Sequence, residues 1–579
     1  MALMATGCRW QSIMLLGLAT FIICSYVTGV NGADGDEAPI VKLGKSSSVQ
    51  GLILKALESP TPVYNFRGIY YAAPPTGKRR FGPPARRKPF EGLSDGTRFG
   101  PLCPQNLETT ERVFRGMPFP TREMNEDCLH LNIYTPDLDE KAKLAVMVHF
   151  SGGAFANGGG GFYDGTALAA HHQVVVVTVN TRLGALGFLS TSDVSAMGNY
   201  GLLDQGVALH WIGSHIKQFG GDPDRITIMG ESSGAMSVSL QLMFSLSEGL
   251  FHQVIAQSGV ATSPIALVRD PRELAEKLGT ALKCPTDNSR ILVDCLRQKP
   301  ADKIARVKLV NRPIEFGPVV DGIFLRDDPR TIQTQGKIPR KNVLLGFNSD
   351  EGGGSLLDTR VSSDLLNLLS QSTFSKFLEQ MLYLVIPKSL PAMPLVRAIT
   401  NMYVDTEGTW DDDQAQQYFS DIITDCVYVA PAVSTADALS ERGFSVFMYE
   451  FEHRSGDSTL PSWAKADHGD EEAYVWGEPF MDRGWKGPEA FTEEEKELSQ
   501  KMMLYWTNFA KYGNPNGVSK PQDSNLSAPY WSKYTRADKK YMQLDNTPQE
   551  AQNIKSEKVL FWNKLFSFWK LGKRRREEL

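Results

Sequence analysis

The chain has 579 residues, 42% of them hydrophobic, enough apolar material to bury a large core in one long domain or several. Its formal charge of -5 carries no basic excess, which argues against a nucleic-acid partner and leaves a small or neutral ligand as the easier fit. No repeat of fixed period is visible.

At the N-terminus Arg9 precedes an apolar run from Ile13 to Cys24, and Val30 and Gly32 are small residues placed for cleavage after Gly32. This is a secretory signal pattern over 1–32, with a signal anchor as the rival because the apolar run nears spanning length. Of seven cysteines, Cys8 and Cys24 fall inside that segment, so Cys103, Cys128, Cys284, Cys295 and Cys426 enter an oxidising lumen. The close-spaced pairs Cys103 with Cys128 and Cys284 with Cys295 each close a short loop and are predicted disulfides, with Cys426 left over. Asn525-Leu-Ser is a glycosylation sequon, in keeping with the same compartment.

From Gly51 to Arg98 proline and glycine punctuate short apolar runs, which predicts short edge strands. After the aperiodic Cys103–Cys128 loop, Leu129 to Thr135 alternates as a strand and stops at Pro136. Leu144 to Phe150 and Val174 to Asn180 are nearly all apolar, as expected of strands buried on both faces. Between them, Gly152 and Gly153 in Ser151-Gly-Gly-Ala-Phe let backbone N-H groups approach a substrate oxygen, unless the stretch is simply a flexible turn. Leu202 to Phe219 has helical spacing and ends at Gly220-Gly-Asp-Pro.

Arg225 to Met229 is an alternating β-prone run that enters Gly230-Glu-Ser-Ser-Gly, and a helix-compatible run leaves it from Ala235 to Phe244. Strand, sharp turn, helix would lift Ser232 onto the tip of a strained corner, with glycines on both flanks so the backbones can pass. The plain alternative is a glycine-rich connecting loop. Helices follow over Pro271 to Lys283 and Ser289 to Arg297, and then Lys341 to Gly352 reads as strand into loop, with Asp350 and Glu351 at the strand end. Amphipathic helices from Ser362 to Tyr403 would cap the sheet, and Phe444 to His453 is a late strand. This alternation predicts an α/β chain with a mostly parallel sheet covered by helices on both faces.

A serine hydroxyl is a poor nucleophile at neutral pH, so a base must take its proton and a carboxylate must orient the base. In the strand-turn-helix serine hydrolases the chain order is Ser, acid, His, and of nine histidines only His252, His453 and His468 follow Ser232. His252 precedes any plausible acid and sits in an apolar run; His453 ends a strand; His468 lies in the polar Ala466-Asp-His-Gly-Asp-Glu-Glu loop and is the preferred base. Asp350 and Glu351, adjacent at a strand end, are not separated as acids by chemistry alone.

Seven segments now carry a specific resemblance: Glu126-Asp-Cys-Leu-His-Leu-Asn, Asn180-Thr-Arg-Leu-Gly-Ala-Leu-Gly-Phe, Gly198-Asn-Tyr-Gly-Leu-Leu-Asp-Gln, Phe219-Gly-Gly-Asp-Pro, Gly230-Glu-Ser-Ser-Gly, Gly346-Phe-Asn-Ser-Asp-Glu-Gly and His468-Gly-Asp-Glu. In this order they resemble the type-B carboxylesterase and cholinesterase family, from about Gly51 to Trp562. The resemblance implies an α/β-hydrolase fold over 33–567, Ser232 as nucleophile, Glu351 as acid, His468 as base, and N-H groups of Gly153, Ala154 and Ser233 as the oxyanion hole; it also supports both disulfides. The chain departs from the family pattern in having Ser151-Gly-Gly-Ala for the common His-Gly-Gly-Gly and Ser233 where Ala is common, both of which keep the backbone donors. Pro118 stands where cholinesterases carry the tryptophan that stacks on quaternary ammonium, which disfavours choline esters, with Phe119 as a partial substitute. Glu231 likewise departs from the Gly-Gln-Ser-Ala-Gly common in juvenile hormone esterases.

The expected function is hydrolysis of small to medium uncharged esters, xenobiotic, lipid or hormonal, with no metal or organic cofactor needed. A non-catalytic adhesion or binding protein on the same fold, or a juvenile-hormone-type or choline esterase, are the alternatives. In the tail, Val559 to Leu571 is helical and apolar on most sides, followed by Lys573-Arg-Arg-Arg over a basic segment 568–579. It reads as the last helix docking through Phe561, Trp562 and Leu565, or as a membrane-surface helix. Arg576-Glu-Glu-Leu resembles an endoplasmic-reticulum retrieval signal, so the expected location is that lumen or the secreted medium.

Overall fold

The computed structural model describes residues 38–114, 116–309, 314–335, 338–353, 370–385, 392–405, 407–482, 484–518 and 528–577, the last ten as backbone only. The expected signal over 1–32, the Asn525 sequon and part of the expected cap after Ser362 lie outside the described residues.

In chain order the strands are β1 (Ile40–Lys42), β2 (Ser47–Gln50), β3 (Leu52–Lys55), β4 (Pro62–Tyr70), β5 (Gly92–Asp95), β6 (His130–Thr135) and β7 (Leu144–Phe150). Then come β8 (Val175–Val179), β9 (Gly221–Glu231), β10 (Gln253–Gln257), β11 (Asn342–Asn348), β12 (Ser445–Phe451), β13 (Lys540–Leu544) and β14 (Gln549–Gln552). β1, β2 and β5 form a small separate sheet; the rest form one sheet ordered β14-β13-β12-β11-β10-β9-β7-β8-β6-β4-β3. From β8 through β7, β9, β10, β11 and β12 to β13 every pairing is parallel, and the antiparallel pairings are confined to the two flanks.

The unbroken apolar runs in the middle strands have a direct cause, because successive side chains feed two different cores. Val175, Val177 and Val179 pack on one face with helix residues Leu202, Leu209 and Ala235, as do Val146, Val148 and Phe150. Val176, Ala145 and Met147 pack on the other with Leu168, Leu498 and Trp506. The α/β-hydrolase expectation is met by this two-faced, mostly parallel sheet.

Some boundaries differ from the sequence reading. β4 is longer than the short edge strands expected there, with a register shift between Phe66 and Ile69, and is paired on both sides. β9 starts at Gly221, ahead of Arg225, because Gly221 pairs with Leu144 across the sheet. The helix after β8 runs Tyr200–His215 and tightens to a 3-10 turn over Ile216–Phe219 before Gly220 turns the chain at φ +77°. Helices Pro271–Ala281 and Ser289–Arg297 are joined by the Cys284–Cys295 disulfide, Cys103 is bonded to Cys128, and Cys426 is free and buried. The last helix, Ser556–Glu577, begins by docking on the body: Trp562 is fully buried and its Nε1 donates to Tyr403 Oη at 2.7 Å, with Phe561 and Leu565 half-buried beside it.

Candidate active site

Ser232 occupies the corner between β9 and helix Ser233–Gln241 at φ 57°, ψ −122°, a conformation costly for a residue with a Cβ. The corner is held by its backbone: Ser232 N donates to Gln257 O at 2.9 Å, and its own carbonyl accepts from Met236 N at 2.9 Å. Both flanking glycines are required by contact. A Cβ on Gly230 would lie 2.6 Å from Gly234 C, and one on Gly234 would lie 2.1 Å from Phe150 O.

β11 delivers the carboxylates. Glu351, fully buried, accepts from Asn348 N on Oε1 at 2.8 Å, while its Oε2 lies 2.5 Å from His468 Nδ1. Asp350 is committed elsewhere, its Oδ2 accepting from Lys465 N and Ser349 Oγ, each at 3.0 Å. The other two histidines are occupied too. His453 lies between Glu495 at 3.0 Å and Asp545 at 3.1 Å, and His252 Nδ1 accepts from Ile226 N at 3.1 Å. The loop carrying His468 is tied down behind the ring: Glu471, its carboxyl pushed up by burial and then by the Glu351 charge, accepts from Asn348 Nδ2 at 2.7 Å and Gln257 Nε2 at 3.2 Å.

The Nε2 edge of His468 faces the cavity. Ser232 and His468 both line it, but no hydrogen bond joins them among the described residues; Glu231 Oε1 lies 3.0 Å from Nε2 instead. A second support is a six-residue π-helical turn, Thr424–Val429, between helices Asp412–Ile423 and Ala430–Glu441. Ser263 Oγ donates to Val427 O at 2.8 Å, Thr424 Oγ1 accepts from Gly352 N at 3.1 Å next to Glu351, and the Tyr428 ring lies 5.1 Å from the His468 ring.

The cavity has a volume of about 540 Å³ and is walled by Phe114 and Met117 from the Cys103–Cys128 loop, and by Phe316 and Trp485. Gly152, Gly153 and Ala154 form its floor beside Ser232. Gly152 is pressed so close that a Cβ would meet Glu231 Oε2 at 2.5 Å, and Gly153 adopts φ +103°. Among the described residues the N-H groups of Gly153, Ala154 and Ser233 make no hydrogen bond to the protein, which leaves three donors for a ligand oxygen. Phe119 does not reach the cavity wall: the Arg122 guanidinium lies 4.6 Å from its ring centre and Phe162 packs against it at 5.2 Å. It is thus no substitute for the tryptophan that Pro118 replaces.

Comparison with known proteins bears on the whole arrangement. The model of the carboxylesterase family matches residues 37–562. The chain belongs to the carboxylesterase family. It is 36% identical over 528 residues to carboxylesterase 4A of Bos taurus, covering 87% of this chain and 91% of that protein. It is 35% identical over 543 residues to human cocaine esterase, covering 92% and 93%. Human neuroligin-2 is also 35% identical over 546 residues, but this chain spans only 65% of its length.

Three parts of this carboxylesterase-family site escaped the sequence reading. Glu231 was visible only as a departure from another motif, although its place next to Ser232 was a signal that it would share the corner. Tyr428 sits where nothing in the local pattern announces a π turn. Ser233 was read for its N-H alone, yet its Oγ accepts from Phe155 N at 3.1 Å.

Proposed function

We propose that this chain is a serine carboxylester hydrolase acting on small to medium uncharged esters. One observation carries the reading: His468, held by Glu351 through Nδ1, turns Nε2 onto the same cavity floor as Ser232, which stands on a strained corner beside three uncommitted N-H groups. Nε2 moves off Glu231 and takes the Ser232 proton as Oγ bonds to the ester carbon. The carbonyl oxygen gathers negative charge against the N-H groups of Gly153, Ala154 and Ser233. Nε2 returns the proton to the departing alcohol, leaving an acyl group on Ser232. Water then adds to that acyl carbon with its proton going to Nε2, and the acid leaves as Oγ recovers a proton.

Pro118 in place of a cation-stacking tryptophan, with Phe114, Met117, Phe316 and Trp485 among the lining residues, supports xenobiotic, lipid or hormone esters over choline esters. The predicted signal, a body over 33–567 and two disulfides support passage through the secretory pathway, with the endoplasmic reticulum or the medium as destination. A chain cut before Arg576 that is secreted no faster than the full chain would remove the retrieval reading. Likeness to neuroligin-2 favours a second reading, a non-catalytic binding protein on this fold. Hydrolysis of p-nitrophenyl esters of graded acyl length separates the two. The esterase reading expects turnover by the wild type and its loss in Ser232→Ala; equal rates in the two proteins, or a folded but inert wild type, would overturn it.

A further inference from the structure

The floor of the cavity is built on two separate pieces of chain. Gly153 and Ala154 lie on the loop that follows β7, while Ser233 opens the helix that follows Ser232. Three groups must nevertheless converge on one oxygen atom, so the spacing between the two pieces has to be fixed. The loop does not fix it by its own preference. Ala154 and Phe155 both sit at φ 58°, two successive non-glycine residues in the left-handed region, after Gly153 at φ +103°. Such a run is unfavourable and persists only where its surroundings impose it.

The restraints on this run can be named. Ala156 N and Asn157 N donate to Gly153 O at 3.1 and 3.0 Å, and Gly184 N donates to Phe155 O at 2.7 Å. None of these reaches the helix of the nucleophile. The bond from Phe155 N to Ser233 Oγ does, at 3.1 Å, with Ser233 2% and Phe155 4% exposed. A buried hydrogen bond of this kind is not exchanged for water, and an N-H left without its acceptor there is costly.

We infer that the Ser233 hydroxyl is a positioning residue that fastens the oxyanion loop to the nucleophile helix, so that one residue both donates its N-H to the developing oxyanion and sets the distance to the other two donors. The inference rests on the esterase reading given above. Where Ala stands at this position, as is common in the family, the Phe155 N-H loses this acceptor. In this chain, therefore, the hydroxyl carries a task that the backbone alone does not.

The test compares wild type, Ser232→Ala and Ser233→Ala. Loosening the donors weakens binding of the tetrahedral oxyanion and not of the planar ester. Ser233→Ala is expected to lower kcat for p-nitrophenyl butyrate by roughly tenfold with KM within about twofold. An alkyl trifluoromethyl ketone, which adds Ser232 Oγ to give a tetrahedral oxyanion, should bind more weakly by a similar factor. Deuterium exchange over 152–157 should quicken in Ser233→Ala while Tm stays close to wild type. Unchanged kcat in a folded Ser233→Ala, or a fall in kcat matched by KM and by loss of folded protein, overturns the inference. Turnover by wild type with none by Ser232→Ala keeps the esterase reading standing in either case, so the two failures are distinguishable. An inert wild type defeats both, whereas exchange over 152–157 that does not change on substitution defeats the fastening alone.

Discussion

Replacing Gly234 by alanine is a sharp trial of the corner geometry. The added Cβ would lie 2.1 Å from Phe150 O, more than 1 Å inside the 3.4 Å at which ordinary contact begins, and 3.1 Å from Ser151 C. The obstacle is backbone, at the end of a central strand, so no side chain can swing away to make room. The helix and the oxyanion loop must therefore separate by about 1 Å, and a misplacement of that size near reacting atoms commonly costs on the order of a hundredfold. Gly206→Ala is the matched control: it lies inside helix Tyr200–His215, and a Cβ there meets nothing within 4 Å. Alanine is the better helix former by roughly 0.5–1 kcal/mol, so that variant should keep its kcat/KM and gain slightly in Tm. The assay is kcat/KM on a p-nitrophenyl ester, with circular dichroism to verify folding. A folded Gly234→Ala with wild-type kcat/KM and Tm would refute the argument that Ser232 needs this close approach.

Two further outcomes concern stability. Replacing Cys284 and Cys295 by serine opens an 11-residue closure and should cost about 3 kcal/mol in urea unfolding, with esterase activity retained, because neither residue lines the cavity; an unchanged midpoint would show that the two helices are held without it. Glu450 bears on pH. Burial, only partly offset by Lys555, pushes its carboxyl up to about 7 from 4.5, so between those values the native chain holds a proton that the unfolded chain has released. Stability therefore falls as pH rises across that window. Glu450→Gln should remove the fall and raise Tm at pH 8; a pH profile of Tm identical to wild type would contradict it.

The parts of this molecule written plainly in the sequence are those decided by neighbours in the chain. The turn at Ser232 follows from Gly230, Gly234 and the runs on either side, and helix Ser289–Arg297 is found at the expected limits because Asn288 caps it, accepting from Arg290 N and Ile291 N. Family likeness, not local chemistry, favours Glu351 over Asp350 as the proposed acid, and the fold adds a supporting contrast: Asp350 accepts from Lys465 N, more than a hundred residues away. Glu231 meeting His468, and Phe155 meeting Ser233, are likewise contacts between distant segments. The π turn is hidden for another reason, since Ser263, which donates to its Val427 carbonyl, comes from the loop after β10, more than a hundred residues earlier.

One wall of the cavity is a loop stapled at both ends by Cys103 and Cys128, whereas Ser232 and Glu351 follow the ends of β9 and β11, and His468 lies in the loop after β12. Asn106, Thr109, Arg112, Phe114 and Met117 on that wall come from a stretch of chain separate from those three residues. On the proposed esterase reading, selectivity is then set in part by a stretch of chain that carries none of the three proposed catalytic residues.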